Sequence, residues 1–122
     1  MNAVIIGIGS NICPEENIGA ALERMGEVME IIKVSGFFLT APIGITDQPA
    51  FLNGAVKVNT LLEMEELQSL LKSIENILGR DRTLPKFGPR TIDLDIVAWN
   101  GKIVDNDYFS RNFLRESVDE IM

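Results

Sequence analysis

Two aspartates lie close together in a short apolar run of the sequence. Asp93 and Asp95 are separated by one residue within residues 91–97, a segment rich in branched apolar residues that favours a β-strand. Side chains alternate between the two faces of a strand, so both carboxylates are expected on the same face. Two carboxylates that close repel each other unless a cation lies between them, and Mg²⁺ often binds through one or two carboxylates plus phosphate oxygens. The pair therefore predicts a magnesium site, although an ordinary polar sheet face gives the same short pattern.

A cluster of basic residues precedes the aspartates. Four of the 11 basic residues of the chain fall between residues 80 and 90: they are Arg80, Arg82, Lys86 and Arg90. Arginine binds the non-bridging oxygens of phosphates, and a metal ion can bridge phosphates and carboxylates. The basic cluster and the aspartates together predict a nucleotide phosphate site. The alternative is a surface ion-pair cluster, which would contribute little to stability.

The apolar pattern predicts the elements that hold these residues. Strands are expected at residues 3–8, 31–40, 51–58 and 91–99, and helices at residues 14–29 and 61–78. We expect Gly9 to end the first strand and Ser35–Gly36 to form a bulge in the second. This order predicts an α+β, ferredoxin-like βαββαβ fold, an antiparallel sheet with the two helices on one face. A weaker pattern indicates a short strand at residues 102–104 and a closing helix from Asn112.

Composition limits the classes of function. A chain of 122 residues suits one domain, residues 1–122, and a net charge of -7 disfavours a general nucleic-acid or anionic-membrane binder. No apolar run is long enough to span a bilayer, and the N-terminus has no basic region typical of a secretory signal, so a cytoplasmic location is expected. Cys13 is the single cysteine, and there is no histidine, which removes the commonest general base and zinc ligand. Metal chemistry would therefore depend on carboxylates.

Residues 86–97, KFGPRTIDLDIV, resemble the signature of the 6-hydroxymethyl-7,8-dihydropterin pyrophosphokinase family of the folate pathway. Residues 8–11, 40–44, 48–53 and 78–82 match the same family in its order and spacing. The resemblance implies the ferredoxin-like fold and transfer of a pyrophosphoryl group from ATP to the pterin hydroxymethyl group, giving AMP. It also implies two Mg²⁺ ions held by Asp93 and Asp95.

The resemblance further implies a role for individual positions. Catalytic roles fall on Arg80, Arg82, Arg90, Asp93 and Asp95; pterin binding falls on Thr40, Pro42, Ile43, Phe51, Asn53 and Phe113; nucleotide binding falls on Glu75, Arg82, Arg90, Ile96 and Arg111. Some of these positions have an ordinary structural alternative. Phe51 suits a core residue, and Asn53 beside a glycine suits a strand irregularity. Thr40 suits a strand end, and Glu75 suits a solvated helix acid.

The chain also departs from the family pattern. The family follows the aspartate strand with a proline–histidine segment that contacts ATP, whereas this chain contains no histidine. Lys72 replaces a polar amide of the nucleotide site, and lysine cannot accept a hydrogen bond. Three functions therefore stay open: an active pyrophosphokinase with ATP and a reduced pterin as partners, a non-catalytic pterin- or nucleotide-binding homologue, and an interaction or RNA-binding domain. The acidic balance disfavours the third. Nothing in the sequence indicates an oligomeric state.

Overall fold

The computed structural model describes residues 1–80, Thr83 and residues 91–122. Within these residues the chain forms six strands and four helices. The strands are β1 (Asn2–Ser10), β2 (Glu30–Val34), β3 (Phe38–Thr40), β4 (Phe51–Thr60), β5 (Asp93–Trp99) and β6 (Lys102–Ile103). The helices are α1 (Pro14–Val28), α2 (Met64–Ile77), α3 (Asp107–Ser110) and α4 (Asn112–Ile121).

The strands form one antiparallel sheet in the order β2-β4-β1-β5-β6, with β3 also paired to β4. This arrangement confirms the predicted α+β class and the βαββαβ order. The strand expected at residues 31–40 is divided into β2 and β3, which lie end to end along β4. Ser35 interrupts them, because its backbone N–H donates to Ala55 O at 2.9 Å while its hydroxyl accepts the Ala55 N–H at 2.8 Å.

Apolar side chains cover both faces of the sheet. On one face, Val4, Ile6 and Ile8 of β1 pack with the inner sides of α1 and α2, so these two helices share a face as predicted. On the other face, Ile5 packs with Val118 of α4. The closing helix therefore covers the second face, which the one-sided prediction did not include. A central strand with apolar residues at successive positions needs such cover on both sides.

The prediction that Gly9 ends the first strand is wrong. β1 continues to Ser10, and Gly9 pairs with Asn53 of β4 on one side and with Asp93 of β5 on the other. A glycine weakens an isolated strand, but a central strand has hydrogen-bonding partners on both edges that hold it extended. The two strand partners of Gly9 are both candidate site residues.

α2 begins at Met64, three residues after the predicted start at residue 61. The Glu66 side chain accepts a hydrogen bond from the Glu63 backbone N–H at 3.1 Å, which satisfies a donor that the first turn would leave unpaired. This contact fixes where the helix begins. Among the described residues, no helix has the length and apolar character required to cross a membrane.

Candidate active site

A cleft of about 890 Å³ crosses the sheet where β4, β1 and β5 lie side by side. Gly7 and Gly9 of β1 line it between the two neighbouring strands. Gly9 faces Asn53 in β4 and Asp93 in β5, and neighbouring strands lie about 4.8 Å apart. The backbone positions that carry the Asn53 amide and the Asp93 carboxylate are therefore roughly 10 Å apart, with Gly9 between them.

Most of the predicted site residues line this one cleft. They are Thr40, Ile43, Phe51, Asn53, Glu75, Arg80, Asp93, Asp95, Ile96, Arg111 and Phe113. Pro42 is described but is not part of the lining, and Arg82 and Arg90 lie outside the described residues. The structure thus brings together residues from β3, β4, α2, β5 and α4 that are far apart in the sequence. Their individual roles stay predictions.

Asp93 and Asp95 lie on the same face of β5, opposite Gly9 and Gly7 of β1. The side chain of Asp95 reaches solvent, but it lies inside the cleft, where protein replaces much of the surrounding water. This burial, followed by the charge of neighbouring Asp93, raises the pKa of Asp95 to about 7. A cation placed between the two carboxylates would relieve this cost.

The donor set suits magnesium. Within residues 1–80, 83 and 91–122, no group of three or more acidic, cysteine or histidine side chains is arranged to hold a metal ion. Mg²⁺ rarely uses a cage made wholly of protein, and it commonly takes one or two carboxylates together with water and substrate phosphate oxygens. The Asp93–Asp95 pair in an open cleft matches that preference.

Arg80 lies beside the carboxylate pair. Its Nη1 is 2.8 Å from Glu75 Oε2 and 2.9 Å from Asp93 Oδ1, so one guanidinium nitrogen joins α2 to β5. Glu75 Oε2 also accepts the backbone N–H of Leu94 at 2.8 Å. Glu75 is only 3% exposed, so the alternative prediction of a solvated acid on a helix surface is wrong. α2 packs against β5 at this point, and a charge buried there requires hydrogen-bonding partners.

The β4 end of the cleft combines an amide and an aromatic ring. Asn53 Nδ2 donates to Thr40 Oγ1 at 2.5 Å, and Phe51, which pairs with Thr40 across β3 and β4, is half-buried at the wall. Asn53 pairs regularly with both Gly9 and Phe38, so the strand-irregularity alternative is wrong. An amide for hydrogen bonding beside a ring for stacking suits a planar polar heterocycle.

Two buried polar residues, the last residue of β1 and the residue that follows it, hold the surroundings of the cleft. Asn11 Nδ2 donates to Gln48 Oε1 at 2.9 Å and to Pro49 O at 3.1 Å, and Ser10 Oγ donates to Thr91 O at 2.6 Å. These bonds tie the segments that precede β4 and β5 to the central strand. Neither side chain has a role that was predicted from the sequence. Adjacent polar residues directly after an apolar strand are the signal that could have indicated one.

The cleft has further lining residues that the sequence analysis did not predict as site residues. They include Gln68, Leu71 and Lys72 of α2, together with Asp105, Asn106, Asp107, Leu114 and Ser117. The Asp105 carboxylate accepts the backbone N–H of Asp107 at 2.9 Å and so shapes the turn into α3. Arg111 Nη1 lies 3.8 Å from Asp107 Oδ2. Asp105, Asn106 and Asp107 follow β6 in the chain, whereas Leu114 and Ser117 belong to α4, which packs mainly on β4.

Comparison with known proteins supports the family resemblance. Residues 5–122 match the family model for 7,8-dihydro-6-hydroxymethylpterin-pyrophosphokinase. A Bacillus subtilis protein named 2-amino-4-hydroxy-6-hydroxymethyldihydropteridine pyrophosphokinase is 39% identical over 109 residues, which cover 87% of this chain and 65% of the relative. A Pseudomonas aeruginosa protein of the same name is 38% identical over 105 residues, 84% of this chain and 64% of the relative.

The chain spans slightly less than two thirds of the length of these two relatives. A longer Lactococcus lactis protein, named bifunctional protein FolKE, is 34% identical over 133 aligned positions that cover 100% of this chain and 38% of the relative. Matches of this extent, together with the carboxylate cleft, place the chain in a family. The chain belongs to the 7,8-dihydro-6-hydroxymethylpterin-pyrophosphokinase family.

Proposed function

We propose that this chain transfers a pyrophosphoryl group from ATP to 6-hydroxymethyl-7,8-dihydropterin and releases AMP. The observation that carries the proposal is the register across the sheet, which sets Asn53 and Asp93 on either side of Gly9 in one cleft. In this transfer the pterin hydroxymethyl oxygen forms a bond to the β-phosphorus of ATP. The bond from that phosphorus to the oxygen bridging the α- and β-phosphates breaks, and AMP leaves.

The pterin belongs at the β4 end of the cleft in this proposal. Asn53 and Thr40 would hydrogen-bond the ring edge and Phe51 would stack on its face, with Ile43 and Phe113 also on the wall. Gly9 has no side chain, which leaves the space above it to the Asn53 amide, so that this amide can face the pterin. The hydroxymethyl group would then point across Gly9 toward the carboxylates.

The metal site belongs on β5. Asp93 and Asp95 would hold two Mg²⁺ ions, which when bound neutralise phosphate charge and orient the phosphates for in-line attack. Arg80, 2.9 Å from Asp93, is positioned to contact phosphate oxygens at the same place. Arg82 and Arg90 stay predicted contributors to this region of the site.

The nucleotide belongs beyond the outer edge of β5. Leu94 directs its N–H away from β1 toward α2, and in an antiparallel pair the next residue but one, Ile96, faces the same way. β6 pairs only with Ala98 and Trp99, so among the described residues no strand covers Ile96. Ile96 lines the cleft, as does Arg111, so a nucleotide at this edge of β5 would lie beside both residues.

The charges of the cleft wall support the need for added cations. Among the described lining residues, the acids are Glu75, Asp93, Asp95, Asp105 and Asp107, and the bases are Lys72, Arg80 and Arg111. A wall with more acids than bases would repel the phosphates of ATP unless metal ions change the local sign. This balance supports a reaction that depends strictly on magnesium.

We also propose a single cytoplasmic domain that binds two small ligands. Residues 1–122 would act as one domain in the cytoplasm, with ATP and a reduced pterin as ligands and without nucleic-acid or membrane partners. The second candidate is a non-catalytic pterin- or nucleotide-binding homologue. It is favoured by the absence of any histidine, since the family signature places one in contact with ATP.

The test is formation of AMP from ATP and 6-hydroxymethyl-7,8-dihydropterin, with and without Mg²⁺. We expect AMP from the native chain only with the metal, and a loss of at least about 100-fold in Asp95→Asn, because the variant removes a metal ligand. Glu23→Gln, on the exposed surface of α1, is the matched control and should behave as the native chain. Saturable ligand binding without AMP would instead establish the non-catalytic homologue.

A further inference from the structure

One oxygen atom of Glu75 connects three parts of the active cleft. Glu75 Oε2 accepts a hydrogen bond from the Leu94 backbone N–H at 2.8 Å and from Arg80 Nη1 at 2.8 Å. Leu94 lies between the two aspartates, and the same Arg80 nitrogen reaches Asp93 Oδ1 at 2.9 Å. A single carboxylate on α2 therefore contacts both the strand that carries the metal ligands and the cation beside them.

The position of Glu75 favours a role in orientation. Its side chain is 4% exposed, compared with 23% for Asp93, so its carboxylate faces the protein far more than the open cleft. It lies on the buried side of α2, the helix that packs against β5, with Leu71 and Ile74 buried beside it. A carboxylate held in this way cannot move freely to meet a ligand, but it can fix the groups that it contacts.

The edge of β5 explains why such a contact is needed. β6 pairs with β5 only at Ala98 and Trp99, so no described strand supports the outer edge beside Asp93 and Asp95. The Glu75–Leu94 hydrogen bond takes the place of a strand partner there. If the strand were held on one side only, the distance between the two carboxylates would vary. This variation would weaken the binding of Mg²⁺, a small ion that requires strict coordination geometry.

We propose that Glu75 is a positioning residue that sets the metal carboxylates through Leu94 and holds Arg80 against Asp93, an inference that rests on the proposed function. Glu75 then acts on the metal site without itself contacting metal or substrate. This role differs from the direct nucleotide contact predicted from the sequence. Its charge also keeps the Arg80 guanidinium shared between two carboxylates, so that Asp93 stays accessible to Mg²⁺.

The substitution Glu75→Gln separates the hydrogen bond to Leu94 from the charge interaction with Arg80. The amide oxygen can still accept the Leu94 N–H, so the fold should survive, but the neutral amide cannot hold Arg80 by charge. Arg80 would then concentrate on Asp93 and compete with the metal ion. We expect affinity for Mn²⁺, a spectroscopic substitute for Mg²⁺, to fall by about 10-fold in the presence of a non-hydrolysable ATP analogue, as when partners of metal ligands are removed.

Binding of Mn²⁺, followed by electron paramagnetic resonance, is the main measurement because it requires no turnover. The Michaelis constant for the pterin, measured alongside it, should change less than about twofold, because the pterin end of the cleft does not contact Glu75. Glu65→Gln, on the exposed side of the same helix, is the control and should bind Mn²⁺ with native affinity.

A double-mutant cycle tests whether Glu75 acts through Arg80. If it does, adding Glu75→Gln to Arg80→Gln should reduce Mn²⁺ affinity no further. If the two residues act independently, the fold-losses in affinity of the single variants should multiply in the double variant. Native Mn²⁺ affinity in Glu75→Gln would overturn the positioning role of Glu75. Fold-losses that multiply fully in the double variant would also overturn it. Failure of the native chain to form AMP would contradict the proposed function instead, while the Mn²⁺ measurement would still decide the role of Glu75.

Discussion

A Cβ atom placed on Gly9 would lie 2.7 Å from Asn53 Oδ1. The amide of β4 therefore occupies the space that any other residue at position 9 would fill. Because Asn53 also bonds Thr40, it cannot simply rotate away without losing that contact. The orientation of the proposed pterin-binding amide thus depends on a glycine in the neighbouring strand.

Gly9→Ala should displace the Asn53 amide and raise the Michaelis constant for the pterin by about 10-fold or more, since one misplaced hydrogen-bonding group costs on the order of 1–3 kcal/mol. Steady-state kinetics with varied pterin would measure it, and the Michaelis constant for ATP should stay near native. Gly19→Ala is the matched control, because a Cβ there has no atom within 4 Å. Equal increases of the pterin Michaelis constant in both variants would contradict the dependence of the Asn53 orientation on Gly9.

Thr40→Val keeps the shape of the side chain but removes the acceptor for Asn53 Nδ2. We expect weaker pterin binding, by about 3- to 10-fold, and a loss of stability near 1 kcal/mol, the usual net contribution of a hydrogen bond. Titration calorimetry with the pterin and thermal unfolding would report the two effects. Unchanged pterin affinity would show that the Thr40 contact does not orient the amide.

Metal binding should depend on pH through Asp95. Its pKa is raised to about 7 in the metal-free cleft, so a proton competes with Mg²⁺ below that pH. We expect Mg²⁺ affinity to fall as pH decreases from 8 to 6 and each binding event to release protons. Calorimetry in buffers of different ionisation enthalpy would detect them. Binding without proton release at pH 6 would contradict the raised pKa.

The same pKa predicts how metal-free stability changes with pH. A carboxyl group whose pKa rises from 3.8 when unfolded to about 7 when folded holds its proton more tightly in the folded state. Its contribution to stability is therefore lost as pH rises from about 4 through 7. Without Mg²⁺, the native chain should lose stability relative to Asp95→Asn over this range. Thermal unfolding of both proteins at several pH values would show it.

Lys72 should contribute to nucleotide affinity, since it lies on the cleft wall one helical turn before Glu75. Reversing its charge in Lys72→Glu should raise the Michaelis constant for ATP by about 5- to 10-fold, more at low salt than at high salt. Lys33→Glu, exposed on β2 and away from the cleft lining, is the control. Equal responses of the two variants would indicate only a general effect of net charge.

Local patterns predicted the elements of the fold well. Alternation in residues 91–97 placed Asp93 and Asp95 on one face of β5, and the three- to four-residue spacing predicted α1 and α2. These features depend on neighbouring residues and on the periods of strands and helices, which are written directly in the sequence. The end of β1 was missed at Gly9, because partner strands on both sides override a local preference.

The sequence by itself determined which chemical groups this protein carries and its family: two closely spaced carboxylates, basic residues nearby, no histidine, and a pattern that identifies the family. Only the tertiary structure decided that Gly9 makes room for Asn53, that Glu75 is buried and joins Leu94 to Arg80, and that α4 covers the second face of the sheet. Most of these contacts join residues far apart in the chain. Their geometry depends on strand register and helix packing, which no local pattern specifies.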